Sequence, residues 1–126
     1  MKSSGDKMYF FDTYAIIELA KGNPRYQQYA DNEILTTVLN LAELHYSYLK
    51  EHQKNMARAL CAKVRYHLLP ISEEAALEAM EFRYEHRRKK PSTVDCLGYI
   101  IARRDGLKFL TGDQAFKALP NVEFCQ

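Results

Sequence analysis

Four acidic residues lie where the chain passes from an apolar segment into a turn or helix. Asp12, Glu43 and Asp113 each follow a predicted strand within a few positions, and Asp95 opens a predicted helix. Taken singly, each is explained as a helix cap, a first-turn acid or a turn residue. Brought together by the fold, their charges would repel one another, and such a cluster is stable mainly with a cation among its members. The four acids therefore predict a cation site.

The donor atoms of this set indicate which cation. Cys61, Cys96 and Cys125 have no C-x-x-C spacing and predict reduced thiols in packed positions, and the four histidines show no ligand-like pairing. Oxygen ligation without cysteine favours Mg²⁺ or Mn²⁺ over zinc. One or two such ions can activate a water and neutralise charge on a phosphate in the transition state. The predicted chemistry is metal-assisted reaction at a phosphate.

Strands and helices alternate along the whole sequence. Apolar runs predict strands at 8–11, 34–38, 67–71, 108–110 and 122–124. Caps, breakers and apolar spacing predict helices at 14–19, 25–30, from about 40 onward, 55–66, 72–88, 92–106 and 114–119. Alternation of this kind predicts an α/β fold with a parallel sheet of four to five strands and helices on both faces. The carboxyl ends of parallel strands share one edge, which is where ligands bind and where the acids would meet.

Length and composition predict one packed domain. At 126 residues, with 47% hydrophobic and 27% charged residues, the chain suits a single core at 8–126 with a short extension at 1–7. No apolar leader is present, and no apolar run approaches the roughly 20 residues that span a bilayer. We therefore expect a cytoplasmic protein with no membrane contact.

A basic run precedes the third acidic segment. The net charge of +2 does not by itself indicate a polyanionic partner. The run that follows His86, however, can contact phosphates and supplies RNA-binding candidates, namely Arg87, Arg88, Lys89 and Lys90. A solvated helix end is the alternative explanation.

Four segments in order resemble the PIN-domain nucleases, and among them the compact VapC-type toxins of type II toxin-antitoxin systems. These segments are YFFDT at 9–13, NLAEL at 40–44, STVDCL at 92–97 and LTGDQAF at 110–116. The resemblance covers nearly the whole chain from Met8. It implies a single PIN-like domain that cleaves RNA endonucleolytically with Mg²⁺ or Mn²⁺.

The resemblance also implies residue roles. The metal-binding and catalytic set would be Asp12, Glu43, Asp95 and Asp113. Supporting hydrogen bonds would come from Thr13, Ser92 and Thr111. Many relatives carry a second acid two positions after the one matched by Asp113, whereas this chain has Ala115, so the firm binding of a second ion stays open.

Partners follow from the same resemblance. It implies an RNA substrate, a small antitoxin protein and a homodimer. The segment containing Tyr14, Ile17, Tyr26 and Tyr29 would offer the antitoxin an apolar groove, with core packing as the alternative.

Two other functions compete with the ribonuclease. One is a non-catalytic PIN-like module that binds RNA or protein, although the intact acids argue against lost catalysis. The other is a phosphoacceptor or nucleotide-binding domain. The sequence lacks G-x-G-x-x-G and Walker A loops, and it lacks the paired acids and late lysine of a receiver domain.

Overall fold

One parallel sheet organises the molecule. The computed structural model describes residues 7–63 and 66–126, apart from the side chains of 61–63. The strands are β1 (Tyr9–Phe11), β2 (Ile34–Thr36), β3 (Tyr66–Leu68), β4 (Lys108–Thr111) and β5 (Val122–Phe124). Their order is β3-β2-β1-β4-β5, and every pairing is parallel. The predicted α/β fold with a parallel sheet is thus confirmed.

The helices connect successive strands. They are α1 (Thr13–Ala20), α2 (Val38–Lys50), α3 (Lys54–Lys63), α4 (Glu73–Glu85) and α5 (Thr93–Arg104). Short 3₁₀ turns span Pro24–Tyr29, Arg87–Lys89 and Gln114–Phe116. Within the described ranges, no helix is long and apolar enough to cross a membrane.

The central strands bury both of their faces, because successive side chains of a strand point to opposite sides. Phe10 and Phe109 pack beneath α4 and α5, while Phe11 and Leu110 pack beneath α1 and α2. Residues Cys96–Ala102 of α5 are all buried. At Gly98 an added Cβ would lie 2.7 Å from the Phe10 ring, so α5 packs directly on the sheet and its first turn is held rigidly.

The second strand ends earlier than the apolar run predicts. Thr37 caps α2 and exchanges hydrogen bonds with Asn40 in a capping box, so the helix begins at Val38. The sequence places the helix start near Asn40 and Glu43 in the first turn. In the structure Glu43 lies in the second turn.

Two predictions about apolar faces are wrong. The apolar run at 67–71 predicts a buried strand, whereas the strand found there, β3, is shorter and exposed because it forms an edge of the sheet. The helical spacing of Leu77, Met80 and Tyr84 predicts that they form the apolar stripe of α4 that faces the core, but the structure leaves all three exposed. Alanines let α4 approach α5 closely, and the buried face is instead Ala75, Ala79 and Phe82.

The tyrosine-rich segment is mostly core. Tyr26 and Tyr29 are buried against β1 and the end of the chain, and the Tyr29 hydroxyl donates to Glu123 Oε2 at 2.7 Å. These two residues cannot form the predicted antitoxin groove, so core packing is the correct interpretation for them. Cys96 and Cys125 are buried free thiols, as predicted. The Cys61 side chain, the extension at 1–6 and the predicted helix end at 64–65 lie outside the described residues.

Candidate metal centre

Asp12 lies at the carboxyl end of the central strand β1. Its side chain is 1% exposed, and Oδ1 accepts a hydrogen bond of 2.7 Å from the Ala15 backbone, which caps α1. The Thr111 side chain, at the end of the neighbouring β4, lies beside the same carboxyl group and acts to lower its pKa. Asp12 therefore caps α1 from the carboxyl end of the central strand, as its position in the sequence predicts.

Asp113 and Asp95 approach Asp12 from β4 and α5. The Asp113 backbone N–H donates to Thr111 Oγ1 at 3.0 Å, which holds Asp113 at the end of β4. The Asp113 charge is near enough to Asp12 to raise its pKa. Asp95 is in the first turn of α5, where its backbone N–H donates to the Ser92 cap at 3.0 Å. The Asp95 carboxyl group lies close enough to Asp113 for their like charges to help raise the pKa of Asp95. The structure thus brings three of the predicted acids to one place.

Glu43 completes the group from α2. The Thr13 hydroxyl donates to Glu43 Oε1 at 2.7 Å, and Asn40 Nδ2 donates to the same hydroxyl at 3.2 Å. Asn40 is fully buried, and its Oδ1 accepts from the Thr37 hydroxyl at 2.7 Å. Asn40 is therefore a positioning residue that sequence analysis missed. The Thr37-x-x-Asn40 spacing of a capping box was the available signal.

The glycine between Thr111 and Asp113 is needed for packing. A Cβ at Gly112 would clash with the Tyr14 ring and lie 2.9 Å from the Cys125 carbonyl oxygen. Because Tyr14 follows Asp12 and Thr13 on α1, this contact fixes the distance between the first and last acidic segments.

The electrostatics of the site are those of carboxyl groups held together. Burial, followed by the Asp95 charge, raises the pKa of Asp12 to about 8, although the Thr111 side chain and the hydrogen bond from the Ala15 backbone oppose the rise. Burial, followed by the charges of Asp113 and Glu43, raises the pKa of Asp95 to about 7. The four acids are therefore close enough to repel one another, and ionising them all is unfavourable without a compensating charge.

A divalent cation suits this donor set. As the side chains stand, no three His, Cys, Asp or Glu residues in the described ranges form a closed metal-binding group. The ion pairs found there, from Lys21 to Glu18 and from Arg104 to Glu74 and Glu78, leave the four acids without a basic partner. The donors are all carboxylate oxygens, and their repulsion is what a hard cation would relieve.

These features define an α/β domain in which one buried and three half-buried acids meet at the carboxyl ends of the central strands. A model of the PIN domain family matches residues 9–122, including all four acids. The chain belongs to the PIN domain family.

Solved structures share this fold over nearly the whole chain. VapC20 of Mycobacterium tuberculosis, a toxin that cleaves the sarcin-ricin loop, has a TM-score of 0.73 at 16% identity, over 90% of this chain and 98% of its own. VapBC2 of Rickettsia felis, solved with a DNA fragment of its promoter, has a TM-score of 0.71 at 21% identity, over 94% of this chain and 97% of its own. A chain of a toxin-antitoxin complex from Klebsiella pneumoniae has a TM-score of 0.68 at 23% identity, over 93% of this chain and 96% of its own. No curated protein matches the sequence significantly.

Proposed function

We propose that the chain is a metal-dependent endoribonuclease that hydrolyses RNA phosphodiester bonds. The observation that carries the proposal is the gathering of the buried Asp12 with the half-buried Asp95, Asp113 and Glu43 in one mutually repelling group. Such a group does not stabilise the protein by itself, because repulsion between the carboxylates raises the free energy of the folded state. Its proposed function is to bind a cation that acts on phosphate.

Divalent metal ions are what PIN nucleases generally use. In this chain Asp12, Glu43, Asp95 and Asp113 would hold Mg²⁺ or Mn²⁺, which when bound supplies an activated water and charge neutralisation at the phosphate. Thr13 orients Glu43, Thr111 accepts from the Asp113 backbone N–H, and Ser92 fixes the first turn of α5. Ala115 offers only its backbone N–H, to Asp113 Oδ1 at 2.9 Å, and no further acid.

The Thr13 hydroxyl allows a test of the site independently of catalysis. Replacing Thr13 with valine removes the donor to Glu43 at nearly the same volume, so we expect Mn²⁺ affinity, measured by calorimetry, to fall about tenfold or more. Thr13→Ser keeps the hydroxyl and should bind Mn²⁺ like the wild type. If the valine variant also binds Mn²⁺ normally, Glu43 is not positioned by Thr13 for a metal.

The proposed substrate contact is the basic run at the end of α4. Arg87, Arg88, Lys89 and Lys90 are all exposed, and the run continues through Pro91 to Ser92, the residue that caps the Asp95 helix. Cations on this connection would attract the RNA backbone toward the acids.

The proposed biological role is that of a cytoplasmic toxin neutralised by a small antitoxin. It is supported by relatives described as a toxin, a toxin-antitoxin complex and a VapBC protein bound to promoter DNA. Tyr14 remains available to an antitoxin because it is exposed, and Ile17 is half-buried. A homodimer is supported by exposed apolar side chains on α2, α3 and β3, among them Val38, Leu49, Met56 and Leu68.

One experiment tests enzyme and partner together. The chain is co-expressed with the protein encoded beside its gene, the complex is purified, and structured RNA is incubated with the complex and with the separated chain. We expect Mg²⁺ or Mn²⁺ to support cleavage by the free chain, chelator to abolish it, and the partner to inhibit it. Tight RNA binding without cleavage in any divalent metal would instead identify a non-catalytic module.

A further inference from the structure

A second concave site lies beside the acidic one. A cavity of about 520 Å³ opens between the end of α4 and the start of α5. It is lined by Met80, Arg83, Tyr84, Arg87, Lys90 and Pro91. A neighbouring cavity is lined by Glu85, His86, Arg87, Arg88 and Lys89. Arg87 therefore lies between the two cavities, and Lys90 lines only the larger one.

The walls of the larger cavity are flat, cationic and held in place. The Arg87 guanidinium lies 4.1 Å from the centre of the Tyr84 ring, and its Nη1 donates to the Tyr84 carbonyl oxygen at 2.7 Å. Arg83 Nε donates to the Pro91 carbonyl oxygen at 3.1 Å. The Tyr84 side chain is nonetheless 67% exposed. An exposed tyrosine paired with a guanidinium is a surface on which unpaired bases stack.

We propose that this cavity binds a nucleotide of single-stranded RNA, with the base against the Tyr84 and Arg87 pair and phosphates beside Arg83 and Lys90. The inference rests on the proposed function, because it assigns a subsite for the same substrate. Pro91 and Asp95 are four residues apart, so their Cα atoms are at most about 15 Å apart. That distance corresponds to about four stacked nucleotides. The cavity would hold the strand a few nucleotides from the bond that is cut.

Charge favours RNA over a second copy of the chain as the occupant. Three of the six lining residues are cations, and none is acidic. In a symmetric dimer the same patch meets itself, so Arg83, Arg87 and Lys90 would face their own copies. Like charges placed together across an interface are costly. The exposed Leu77, Met80 and Tyr84 stripe makes self-association the competing outcome of the test.

The test measures binding of a fluorescein-labelled oligouridylate of about 12 nucleotides by anisotropy, in chelator and at several salt concentrations. Tyr84→Leu should weaken binding about tenfold at every salt concentration, since it removes stacking but no charge. Lys90→Gln should instead make the slope of log affinity against log salt concentration shallower by about 0.7, because it removes one phosphate contact. The matched control is Tyr46→Leu, which removes a tyrosine that is 63% exposed and has Lys50 5.2 Å from its ring centre. This control should bind like the wild type.

Two results would overturn the inference. One is that Tyr84→Leu, folded by circular dichroism, binds the oligonucleotide as tightly as the wild type or the Tyr46 control. The other is that Tyr84→Leu leaves RNA affinity unchanged but converts a dimer to a monomer by light scattering, which would assign the surface to self-association. Cleavage of the same oligonucleotide by the wild type in Mn²⁺, measured in parallel, reports separately on the nuclease. If the wild type binds the oligonucleotide in chelator but does not cleave it in Mn²⁺, the proposed nuclease function fails while the proposed subsite stands.

Discussion

Replacing Asp12 with asparagine is expected to make the metal-free protein more stable at neutral pH. Burial and the Asp95 charge raise the pKa of the Asp12 carboxyl to about 8, whereas an aspartate in the unfolded chain titrates near 3.9. The native state therefore binds more protons between these values, so the free energy of unfolding falls as pH rises from about 4 to about 8. Ionising Asp12 costs on the order of 5 kcal/mol at the upper end of this window. Asparagine avoids that cost and keeps an oxygen for the Ala15 N–H.

Thermal melts in chelator between about pH 5 and pH 9 measure this effect across the titration window. The wild type should lose stability steadily over the range, while Asp12→Asn should lose less and melt higher at neutral pH. Some pH dependence should remain in the variant because the pKa of Asp95 is also raised, to about 7. The control is Asp31→Asn, which alters an exposed acid and should leave the curve unchanged. Lower stability of Asp12→Asn at every pH would show that Asp12 is purely a helix cap.

Metal should reverse the penalty in the wild type. A cation that binds only the folded state adds about 2.7 kcal/mol when its concentration is about 100 times its dissociation constant. Mg²⁺ or Mn²⁺ should therefore raise the wild-type melting temperature more than a monovalent salt of equal ionic strength. Asp12→Asn should show a smaller increase.

Asp95→Asn is expected to lower metal-dependent RNA cleavage by about a thousandfold. A bound ion contributes several kcal/mol to stabilising charge at the phosphate, and each 1.4 kcal/mol corresponds to about tenfold in rate. Asp95 is in the first turn of α5, where its backbone N–H is held by Ser92, so the substitution alters the carboxylate but not the cap. Single-turnover rates in Mn²⁺ provide the measurement.

The matched control for Asp95 lies at the other end of the same helix. Asp105 follows α5 and is exposed, so Asp105→Asn makes the same chemical change away from the site. It should cleave like the wild type. Equal loss in both variants would show that the effect comes from the helix and not from the metal centre.

Much of the fold could be predicted because its three central strands are buried on both faces. Such strands are continuous apolar runs, as at Tyr9–Phe11, and their alternation with helices indicates parallel pairing. Helix starts were predictable where a single residue caps the helix, as at Asp12 and Ser72. The start of α2 was misplaced because Val38 belongs equally well to a strand by type. Only the Thr37 cap decides the boundary.

The predictions of buried faces were wrong where tertiary contacts, and not the local sequence pattern, determine which residues are buried. On α4, alanine faces allow close helix packing, and the larger Leu77 and Tyr84 are left outside. Periodicity alone cannot distinguish these two faces, because both are apolar. The exposure of β3 depends on its position at the edge of the sheet, and no residue in the strand encodes that position.

The candidate site followed from topology more than from any single motif. Acids after parallel strands must share an edge, which is why residues as distant as Asp12 and Asp113 meet. Sequence could not reveal that Asn40 is buried and orients Thr13 toward Glu43, because this requires α1 and α2 to pack together. Nor could it reveal how the end of α4 and Pro91 enclose a cavity.

The most direct measurement is cleavage of RNA as Mn²⁺ is titrated into chelated protein, with the wild type and Asp12→Asn purified identically. We expect no cleavage before metal is added and a saturable rise in the cleavage rate of the wild type. For Asp12→Asn we expect little or no rise, together with a folded state that is more stable than the wild type without metal. Cleavage by Asp12→Asn at the wild-type rate, or cleavage by either protein in chelator after contaminating ribonuclease is excluded, would contradict the assignment of the four carboxylates as a catalytic metal centre.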